Sequence, residues 1–272
     1  MSEHTADMSC NRIRKEIIKQ GYLSGRGHIS SALSLVEIYY AIYGTGYFDI
    51  EKIKNNDPDR DRLILSKGHG ALGLYVTLMQ SGVISSEQLD GFATEKGILS
   101  THPVKDSVIG IEMTAGSLGQ GIGYAGGTAL SAKLSGRQFK TVVIVGDGEL
   151  QEGSNWESLL FIAHHKLDNI TIIIDRNRLQ ISGDVDEIVT IEPLGEKMKT
   201  FGYRVLEVDG HKIDELCDAL KADSEGMPKV IIANTVKGKG ISFIENQNGW
   251  HGKGLNEEQY LKAKEELENV EW

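Results

Sequence analysis

An acidic residue framed by two glycines is the first feature of this sequence that could carry chemistry. Gly146, Asp147 and Gly148 follow directly after residues 141–145, a run of β-branched residues that is typical of a strand buried on both faces of a parallel sheet. The glycines let the backbone turn sharply while the carboxylate projects outward. Open α/β sheets bind ligands at the carboxyl ends of their strands, so Asp147 is a candidate ligand-binding residue.

Asn177 is expected to meet Asp147 at the same edge of the sheet. It lies 30 residues after Asp147 and just behind a second apolar run, residues 170–174. A carboxylate, an amide oxygen and a backbone carbonyl are hard ligands that suit Mg²⁺ or Ca²⁺, and such a cation keeps positions open for a diphosphate. A strand-end aspartate in a glycine turn is the alternative for Asp147 alone, but the spacing to Asn177 favours a metal site.

Four of the eight histidines lie in loops that contain glycine or proline and have no regular element to cap: His28, His69, His102 and His251. Each alone could be an ordinary surface or hydrogen-bonded histidine. Next to a cation site, neutral imidazoles can instead bind sugar hydroxyls and relay protons near pH 7. Structural roles are expected for the other four, which are His4, His164, His165 and His211.

A glycine-rich loop over residues 116–121 is expected to open a helix, so its backbone N–H groups could hold phosphate oxygens. The alternative is a dinucleotide fingerprint, because Gly121, Gly123 and Gly126 have the required spacing and Asp147 follows about twenty residues later. Residues 108–114, however, make a poor buried strand in front of it, and ribose recognition does not require the match to Asn177.

Alternating apolar runs and helical periodicity predict a doubly wound, mostly parallel α/β sheet flanked by helices, in one domain spanning residues 1–272. The predicted strands cover residues 62–66, 141–146, 169–175, 203–209 and 229–236. The predicted helices cover residues 6–22, the stretch after Ser34 with Glu37 as its capping-box partner, 71–80, the later part of 116–135, 156–165, 213–221 and 257–270. The last of these is strongly charged and is expected to be a solvated surface element.

Composition excludes several classes of protein. The 29 basic and 39 acidic side chains give a formal net charge of −10, which argues against a nucleic-acid surface. The two cysteines show neither metal-ligand spacing nor a disulfide framework. We see no signal peptide and no apolar run of the ~20 residues that would span a bilayer, so a cytoplasmic location without membrane partners is expected.

Seven motifs, in order from residue 27 to residue 252, resemble those of the transketolase family. They are Gly27-His28, Ser66-Lys-Gly-His69-Gly, Thr101-His102-Pro103, Gly116-Ser-Leu-Gly-Gln-Gly121, Gly146-Asp-Gly-Glu-Leu-Gln-Glu152-Gly, Asp175-Arg-Asn177-Arg-Leu-Gln and Trp250-His251-Gly252. The G-D-G motif followed by asparagine is similar to the thiamine diphosphate signature. The resemblance is to the amino-terminal, diphosphate-binding domain.

The resemblance implies thiamine diphosphate and Mg²⁺ as cofactors, with Ca²⁺ or Mn²⁺ as possible substitutes, and transfer of a two-carbon ketol unit from a ketose phosphate to an aldose phosphate. Implied metal ligands are Asp147, the Asn177 side chain and the Leu179 carbonyl. Implied cofactor contacts are His69, Gly116, Ser117, Leu118, Gly146, Gly148, Glu149, Asn177 and His251. Implied catalytic residues are His28, His69, His102, His251 and Glu152: His28 and His251 handle the proton of the donor's C3 hydroxyl, and His102 binds the C1 hydroxyl.

The resemblance also implies a partner. Glu152 and Glu157 match carboxylates that communicate across a subunit interface, with an interface or capping role as the alternative. The glutamate that activates the cofactor lies in a further domain of the family, so we expect a second chain of roughly 300 residues with the pyrimidine-binding domain, in an α2β2 heterotetramer.

Ile29-Ser30 and Ser117 replace residues common in full-length enzymes, as in shorter, split transketolases. Two alternatives stay open for the function. One is another thiamine diphosphate enzyme, similar to deoxyxylulose-phosphate synthase or a dehydrogenase component. The other is a catalytically silent binding or regulatory homologue. The sugar also stays open, with pentose phosphates as the default and modified or sulfonated sugars as alternatives.

Overall fold

A computed structural model describes residues 8–269 of the chain. Its strands are β1 (Arg62–Leu65), β2 (Thr141–Gly146), β3 (Ile170–Arg176), β4 (Leu179–Gln180), β5 (Gly183–Asp184), β6 (Arg204–Asp209) and β7 (Lys229–Asn234). Five of them form a parallel sheet in the order β1-β2-β3-β7-β6, and β4 and β5 form a separate antiparallel hairpin. The predicted fold class is confirmed.

Helices connect the strands. They are α1 (Cys10–Leu23), α2 (Ile29–Leu33), α3 (Val36–Tyr43), α4 (Ile50–Lys54), α5 (Ala71–Gln80), α6 (Ser86–Asp90), α7 (Gly121–Leu134), α8 (Gly153–His164), α9 (Val185–Val189), α10 (Leu194–Thr200), α11 (Ile213–Lys221) and α12 (Glu257–Glu268). Short 3₁₀ turns occur at Gly68–Gly70, Gly148–Gln151 and Asn248–Trp250. Among the described residues, no helix has both the length and the apolar character needed to cross a membrane.

Side chains alternate between two cores, one on each face of the sheet. Val142 and Ile144 of β2 pack into the core built with α1, α3, α5, α11 and α12. Val143 and Val145 pack into the core built with α7, α8 and α10. All four are fully buried, and burial of each such side chain contributes roughly 1.5–3 kcal/mol. A strand buried on both faces explains why residues 141–145 are apolar without interruption.

Strand register brings the candidate residues to one level at the carboxyl edge. Gly146, the last residue of β2, pairs with Asp175 of β3, and Asp175 pairs with Ala233 of β7. Asp147 and Asn177 therefore leave adjacent strands at almost the same height. This register produces the predicted meeting of the two side chains.

The predicted capping box of Ser34 and Glu37 is wrong. The chain forms α2 and α3 in close succession, and α3 begins after Leu35 without a side-chain cap. The Ser34 hydroxyl donates instead to Asp175 Oδ2 at 2.8 Å, and Glu37 is paired with Arg14 at 2.6 Å. Buried charges outside the helix compete for both side chains, which a local motif cannot reveal.

Both ends of the described chain differ from the predicted helices. The first helix begins at Cys10 rather than near residue 6, because the Ser9 side chain accepts a hydrogen bond from Arg12 N and caps it. Its charged counterpart, α12, ends at Glu268 and is not merely solvated: Ala263 and Leu267 are buried. His4 and residue 270 lie outside the described residues.

The dinucleotide alternative has no structural basis. Residues 108–114 form no strand, and residues 121–126 lie within the first turns of α7 rather than in a phosphate-binding loop. Gly121 serves close packing instead, since a Cβ there would lie 2.3 Å from the Ser66 side chain.

Candidate active site

A cavity of about 360 Å³ opens at the carboxyl edge of β2 and β3. Its walls contain candidate residues from every motif, among them His28, His69, Asp147, Asn177 and His251. A larger, open groove of about 980 Å³ lies elsewhere, beside Tyr47 and Arg137, and contains none of the candidate residues. The chemistry of the sequence motifs is therefore concentrated in the smaller cavity.

Asp147 is held by the turn that the glycines make. Its side chain is buried, with Oδ1 accepting from Gly148 N at 2.8 Å and Oδ2 accepting from Arg178 N. Burial and the nearby charge of Asp175 raise the pKa of Asp147 to about 6, although the two backbone N–H groups oppose the shift. Such a poorly compensated carboxylate gains from a nearby cation.

Two further oxygens follow on the β3 side. Asn177 is buried, and its Nδ2 donates to Asp175 Oδ2 at 3.2 Å, which assigns the orientation of the amide. Its Oδ1 accepts from Leu179 N at 3.1 Å. Arg178 adopts the left-handed region with φ 63°, and beyond this turn the Leu179 carbonyl also belongs to the cavity wall.

The carboxylate, amide and carbonyl oxygens of Asp147, Asn177 and Leu179 fit a hard divalent cation. Among residues 8–269, no group of three or more histidine, cysteine, aspartate or glutamate side chains is arranged to hold a metal ion. A metal here therefore depends on the amide, the carbonyl and oxygens supplied by a ligand. The sequence signal that finds these residues is the spacing of the two motifs, since neither motif alone is specific.

Asp175 is the buried centre beneath the metal-ligand candidates. It has no solvent exposure and accepts hydrogen bonds from Lys67 Nζ, Ser34 Oγ, Thr235 Oγ1 and Asn177 Nδ2. Burial alone would raise the pKa of Asp175, but the Lys67 ammonium and the hydrogen bonds lower it. Asp175 is therefore an anion that orients Asn177.

The four predicted loop histidines are brought together. The His28 ring centroid lies 5.1 Å from those of His102 and His251 and 5.8 Å from that of His69, and His69 and His251 are 5.3 Å apart. His28 Nδ1 is buried and has no hydrogen-bond partner within the described part of the chain. A donor or acceptor of a bound ligand would satisfy it.

Burial keeps these imidazoles neutral. It lowers the pKa of His28 and of His251 to about 4, with the positive charge of Lys237 contributing in both cases. Burial also lowers the pKa of His102 and, together with the Lys67 ammonium, holds the pKa of His69 well below its usual value. Near pH 7 the cluster can therefore accept protons and hydrogen bonds.

Part of the glycine loop is already engaged. Gly116 and Leu118 line the cavity, and Ser117 beside them is exposed. Gly119 N, however, donates to Glu149 Oε1 at 2.9 Å, and Gly121 N donates to Ser66 Oγ at 3.0 Å. The expectation that this helix start offers free N–H groups to phosphate is therefore wrong for these two residues.

Glu149 connects three segments of the cavity wall. Its buried carboxylate accepts from Ser66 Oγ, Gly119 N and Gly146 N, the last at 3.1 Å. Burial raises the pKa of Glu149, although all three hydrogen bonds oppose the shift. The structure thus shows that Glu149 joins the loops, and a direct cofactor contact by Glu149 stays a prediction.

Glu152 lies at the rim. It is exposed, occupies the N-cap position of α8 without a side-chain cap hydrogen bond, and contributes to the cavity wall. Glu157, one turn on, is also exposed. The capping alternative is therefore not supported for Glu152, and the interface role stays a prediction.

Two buried lysines were missed by the sequence analysis. Lys67 pairs with Asp175, and Lys237 is 2% exposed, with Nζ 3.2 Å from Leu179 O and 3.3 Å from His251 Nδ1. Burial and the Lys67 charge lower the pKa of Lys237 to about 8. The available signals were the position of Lys67 inside the Ser66–Gly70 motif and of Lys237 just beyond the last strand.

His211 has the predicted structural role. Its Nδ1 lies 2.9 Å from Glu37 Oε2, and its Nε2 accepts from Val236 N at 2.8 Å. His164 and His165 lie at the end of α8, as expected. The division into cavity histidines and structural histidines is therefore confirmed in position for the described residues.

Comparisons with known proteins agree with this geometry. Residues 7–269 match the family described as transketolase, thiamine diphosphate binding domain. One of the two subunits of an apulose-4-phosphate transketolase from Actinobacillus succinogenes is 41% identical over 263 residues, which cover 94% of this chain and 93% of that protein. A 6-deoxy-6-sulfo-D-fructose transketolase subunit from a Clostridium species is 38% identical over 98% of both chains.

A full-length transketolase supplies the structural comparison. The transketolase of Leishmania mexicana superposes with a TM-score of 0.84 at 28% identity, over 98% of this chain but only 42% of its own length. The family match spans nearly all of the described residues, and the relatives named as subunits match over nearly their full length. The chain belongs to the transketolase family, as a thiamine diphosphate-binding domain.

Proposed function

We propose that this chain is the amino-terminal, cofactor-binding subunit of a two-chain transketolase, folded as a single domain over residues 1–272. One observation carries the proposal: the oxygens of Asp147, Asn177 and Leu179 share a single cavity with four neutral histidines. A hard-cation site and a cluster of proton acceptors are the two functions that cofactor-dependent ketol transfer needs from this half of an active site.

Asp147, Asn177 and Leu179 would hold Mg²⁺, with Ca²⁺ or Mn²⁺ as substitutes, and through it the diphosphate of thiamine diphosphate. Gly148 supports this role because a Cβ at that position would lie 3.0 Å from Gln180 Oε1 at the cavity wall. Lys237 adds positive charge beside the Leu179 carbonyl. A diphosphate is thus offered a metal and an ammonium group in a setting where charge interactions are strong.

The histidines would act on the sugar. Thiamine diphosphate supplies the electron-accepting ring that permits cleavage between C2 and C3 of a ketose. We assign His28 and His251 to the proton of the donor's C3 hydroxyl, His102 to the C1 hydroxyl and His69 to the cofactor. Their neutral state supports these roles, because a protonated imidazole could not accept the hydroxyl proton.

A partner chain would complete the site. We propose a subunit of roughly 300 residues with the pyrimidine-binding domain, in an α2β2 heterotetramer. The proposal is supported by the coverage of only 42% of the Leishmania enzyme and by the exposed Glu152 and Glu157 at the rim. A cytoplasmic location remains part of this proposal.

The substrates would be a ketose phosphate and an aldose phosphate. Pentose phosphates are the default, but the two similar subunits are named for apulose-4-phosphate and for a sulfonated fructose. Modified sugars are therefore the second class to test.

The decisive experiment mixes this chain with the product of an adjacent reading frame, thiamine diphosphate and Mg²⁺, and follows ketol transfer by mass spectrometry of the sugars. Transfer by the mixture and not by either chain supports the proposal, whereas full activity of this chain alone contradicts the two-chain arrangement. Cofactor binding without turnover in the complex would favour the silent homologue, and decarboxylated or reduced products would favour another thiamine diphosphate enzyme.

A further inference from the structure

The loop that carries Lys237 is fixed at four points. We call residues 235–240 the Lys237 loop. Thr235 Oγ1 donates to Asp175, and Gly238 N donates to Ser30 O at 2.8 Å. The other two attachments, at Val236 and Lys239, are made by polar side chains that lie outside the cavity and have no part in the roles assigned above.

Those side chains form a continuous series, the Arg14–Glu37–His211 chain. Arg14 is fully buried and its Nη2 lies 2.6 Å from Glu37 Oε1, while the Glu37 side chain is 5% exposed. Glu37 Oε2 lies 2.9 Å from His211 Nδ1. The three residues come from α1, α3 and the turn after β6, so distant parts of the sequence converge here.

Both ends of the Arg14–Glu37–His211 chain terminate on the Lys237 loop. Arg14 Nε donates to Lys239 O at 3.1 Å, and Val236 N donates to His211 Nε2 at 2.8 Å. Because Nε2 accepts, the ring proton lies on Nδ1 and is donated to Glu37. The backbone is thereby held on both sides of Lys237, two residues after it and one before it.

Lys237 itself has little freedom to find the cavity in another way. Its Nζ reaches Leu179 O at 3.2 Å and His251 Nδ1 at 3.3 Å, and its carbonyl accepts from Asn246 N at 2.9 Å. A shift of the backbone by a fraction of these distances would separate the ammonium from both partners. Buried charges are costly to desolvate and need not add stability, so a geometric role is the better account of the Arg14–Glu37–His211 chain.

We propose that the Arg14–Glu37–His211 chain is a positioning assembly that places the Lys237 ammonium in the cofactor cavity. The inference rests on the proposed function, because it assumes that the cavity binds a diphosphate. It adds three residues that touch neither cofactor nor substrate and act only through the Lys237 loop. Groups one layer behind a binding residue typically change affinity by about 10–100-fold.

The test uses the assembled complex with its partner chain and begins with His211→Ala, because His211 is the most exposed member and its loss leaves the buried Arg14–Glu37 pair intact. The dissociation constant for thiamine diphosphate at saturating Mg²⁺ is expected to rise about tenfold. The kcat at saturating cofactor is expected to stay within about twofold, and His211→Gln, which can donate to Glu37 and accept from Val236, should restore most of the affinity.

Asn169→Ala is the matched control, since it also removes one long-range hydrogen bond from a side chain to the backbone, from Nδ2 to Ala129 O at 2.9 Å. It lies at the opposite end of β3 and should leave the dissociation constant unchanged at a similar loss of thermal stability. Equal weakening by both variants would mean that His211 contributes only general stability.

A double-mutant cycle identifies the route through Lys237. Lys237→Met alone should weaken cofactor binding, and His211→Ala should then add little, because the group it positions is gone. Fully additive effects, or an unchanged dissociation constant for His211→Ala beside a weakened one for Lys237→Met, would overturn the inference. If Lys237→Met and Asp147→Ala both left binding unchanged, the proposed cofactor site itself would be wrong. Should His211→Ala fail to fold, the same cycle is run with His211→Gln against His211→Asn.

Discussion

At the scale of single residues, Asp147 is the group on which metal binding depends. Asp147→Ala is expected to weaken Mg²⁺-dependent cofactor binding by about 100-fold or more, because the only carboxylate among the three oxygens is lost. The chain should stay folded, since removal also ends the repulsion from Asp175 that raises the pKa of Asp147. Isothermal titration with thiamine diphosphate and circular dichroism measure both effects.

The control is Asp218→Ala, an exposed aspartate on α11, which should change neither signal. Unaltered cofactor binding by Asp147→Ala would remove the metal from this edge of the sheet.

Protons and Mg²⁺ should compete for Asp147. Its pKa of about 6 in the metal-free protein means that the carboxylate is charged above pH 6 and increasingly neutral below. The apparent Mg²⁺ affinity is therefore expected to fall by about tenfold for each pH unit below 6 and to be level above 7. Mg²⁺ titrations at pH 5 and 7.5 check this, and equal affinities at the two values would contradict the environment described for Asp147.

The sequence predicts the residues of the cavity unevenly. Asp147, Asn177 and the four histidines could be found because they stand in loops beside glycine and proline or at strand ends. Lys67 and Lys237 could not, because a lysine in a glycine loop is usually solvated, and their burial depends on Asp175 and Leu179 from other parts of the chain. Ser34 was misassigned for the same reason: its partner, Asp175, is 141 residues away.

At the scale of secondary-structure elements, Glu149 joins the end of β1, the loop before α7 and the end of β2. Glu149→Ala would leave the N–H groups of Gly119 and Gly146 buried without an acceptor, at a cost of about 1–3 kcal/mol each. We expect a lower free energy of unfolding together with weaker cofactor binding. Urea unfolding and cofactor titration on the same samples measure the two effects.

Trp156→Phe, which removes a single hydrogen bond to Leu150 O, supplies a comparison of stability without a change in these loops. If Glu149→Ala reduced stability but left cofactor affinity intact, the loops would hold their shape without it.

The elements themselves were largely predictable because β2, β3 and α5 are strongly patterned. Their ends were less so. The start of α1 depends on the Ser9 cap, and the end of α12 follows from packing of Leu267 rather than from its charges. The separation of α2 from α3 has no counterpart in the local sequence, since almost every residue of both helices is buried.

At the scale of the whole molecule, α7 and α8 expose apolar side chains. Leu160 and Phe161 are 56% and 42% exposed, and Leu134 is 80% exposed. If these side chains contact another subunit in the proposed α2β2 assembly, Leu160→Glu should shift the complex toward smaller species, because a buried charge at an interface is costly. Light scattering coupled to size exclusion measures the mass.

Leu23→Glu, at the end of α1 and similarly exposed at 60%, is the control for added surface charge. A complex of unchanged mass with both variants would place the subunit contact on another face.

The position of Asp175 has a consequence for how the protein is made. Its partners come from residues 34, 67, 177 and 235, and its strand lies between β2 and β7. During synthesis, β3 must therefore wait for β7, a neighbour that leaves the ribosome only after β6 and α11. Until then an unpaired strand edge and an incompletely bonded acid are exposed together, so a nascent chain cannot acquire cofactor early. Cofactor capture would report that translation has passed β7.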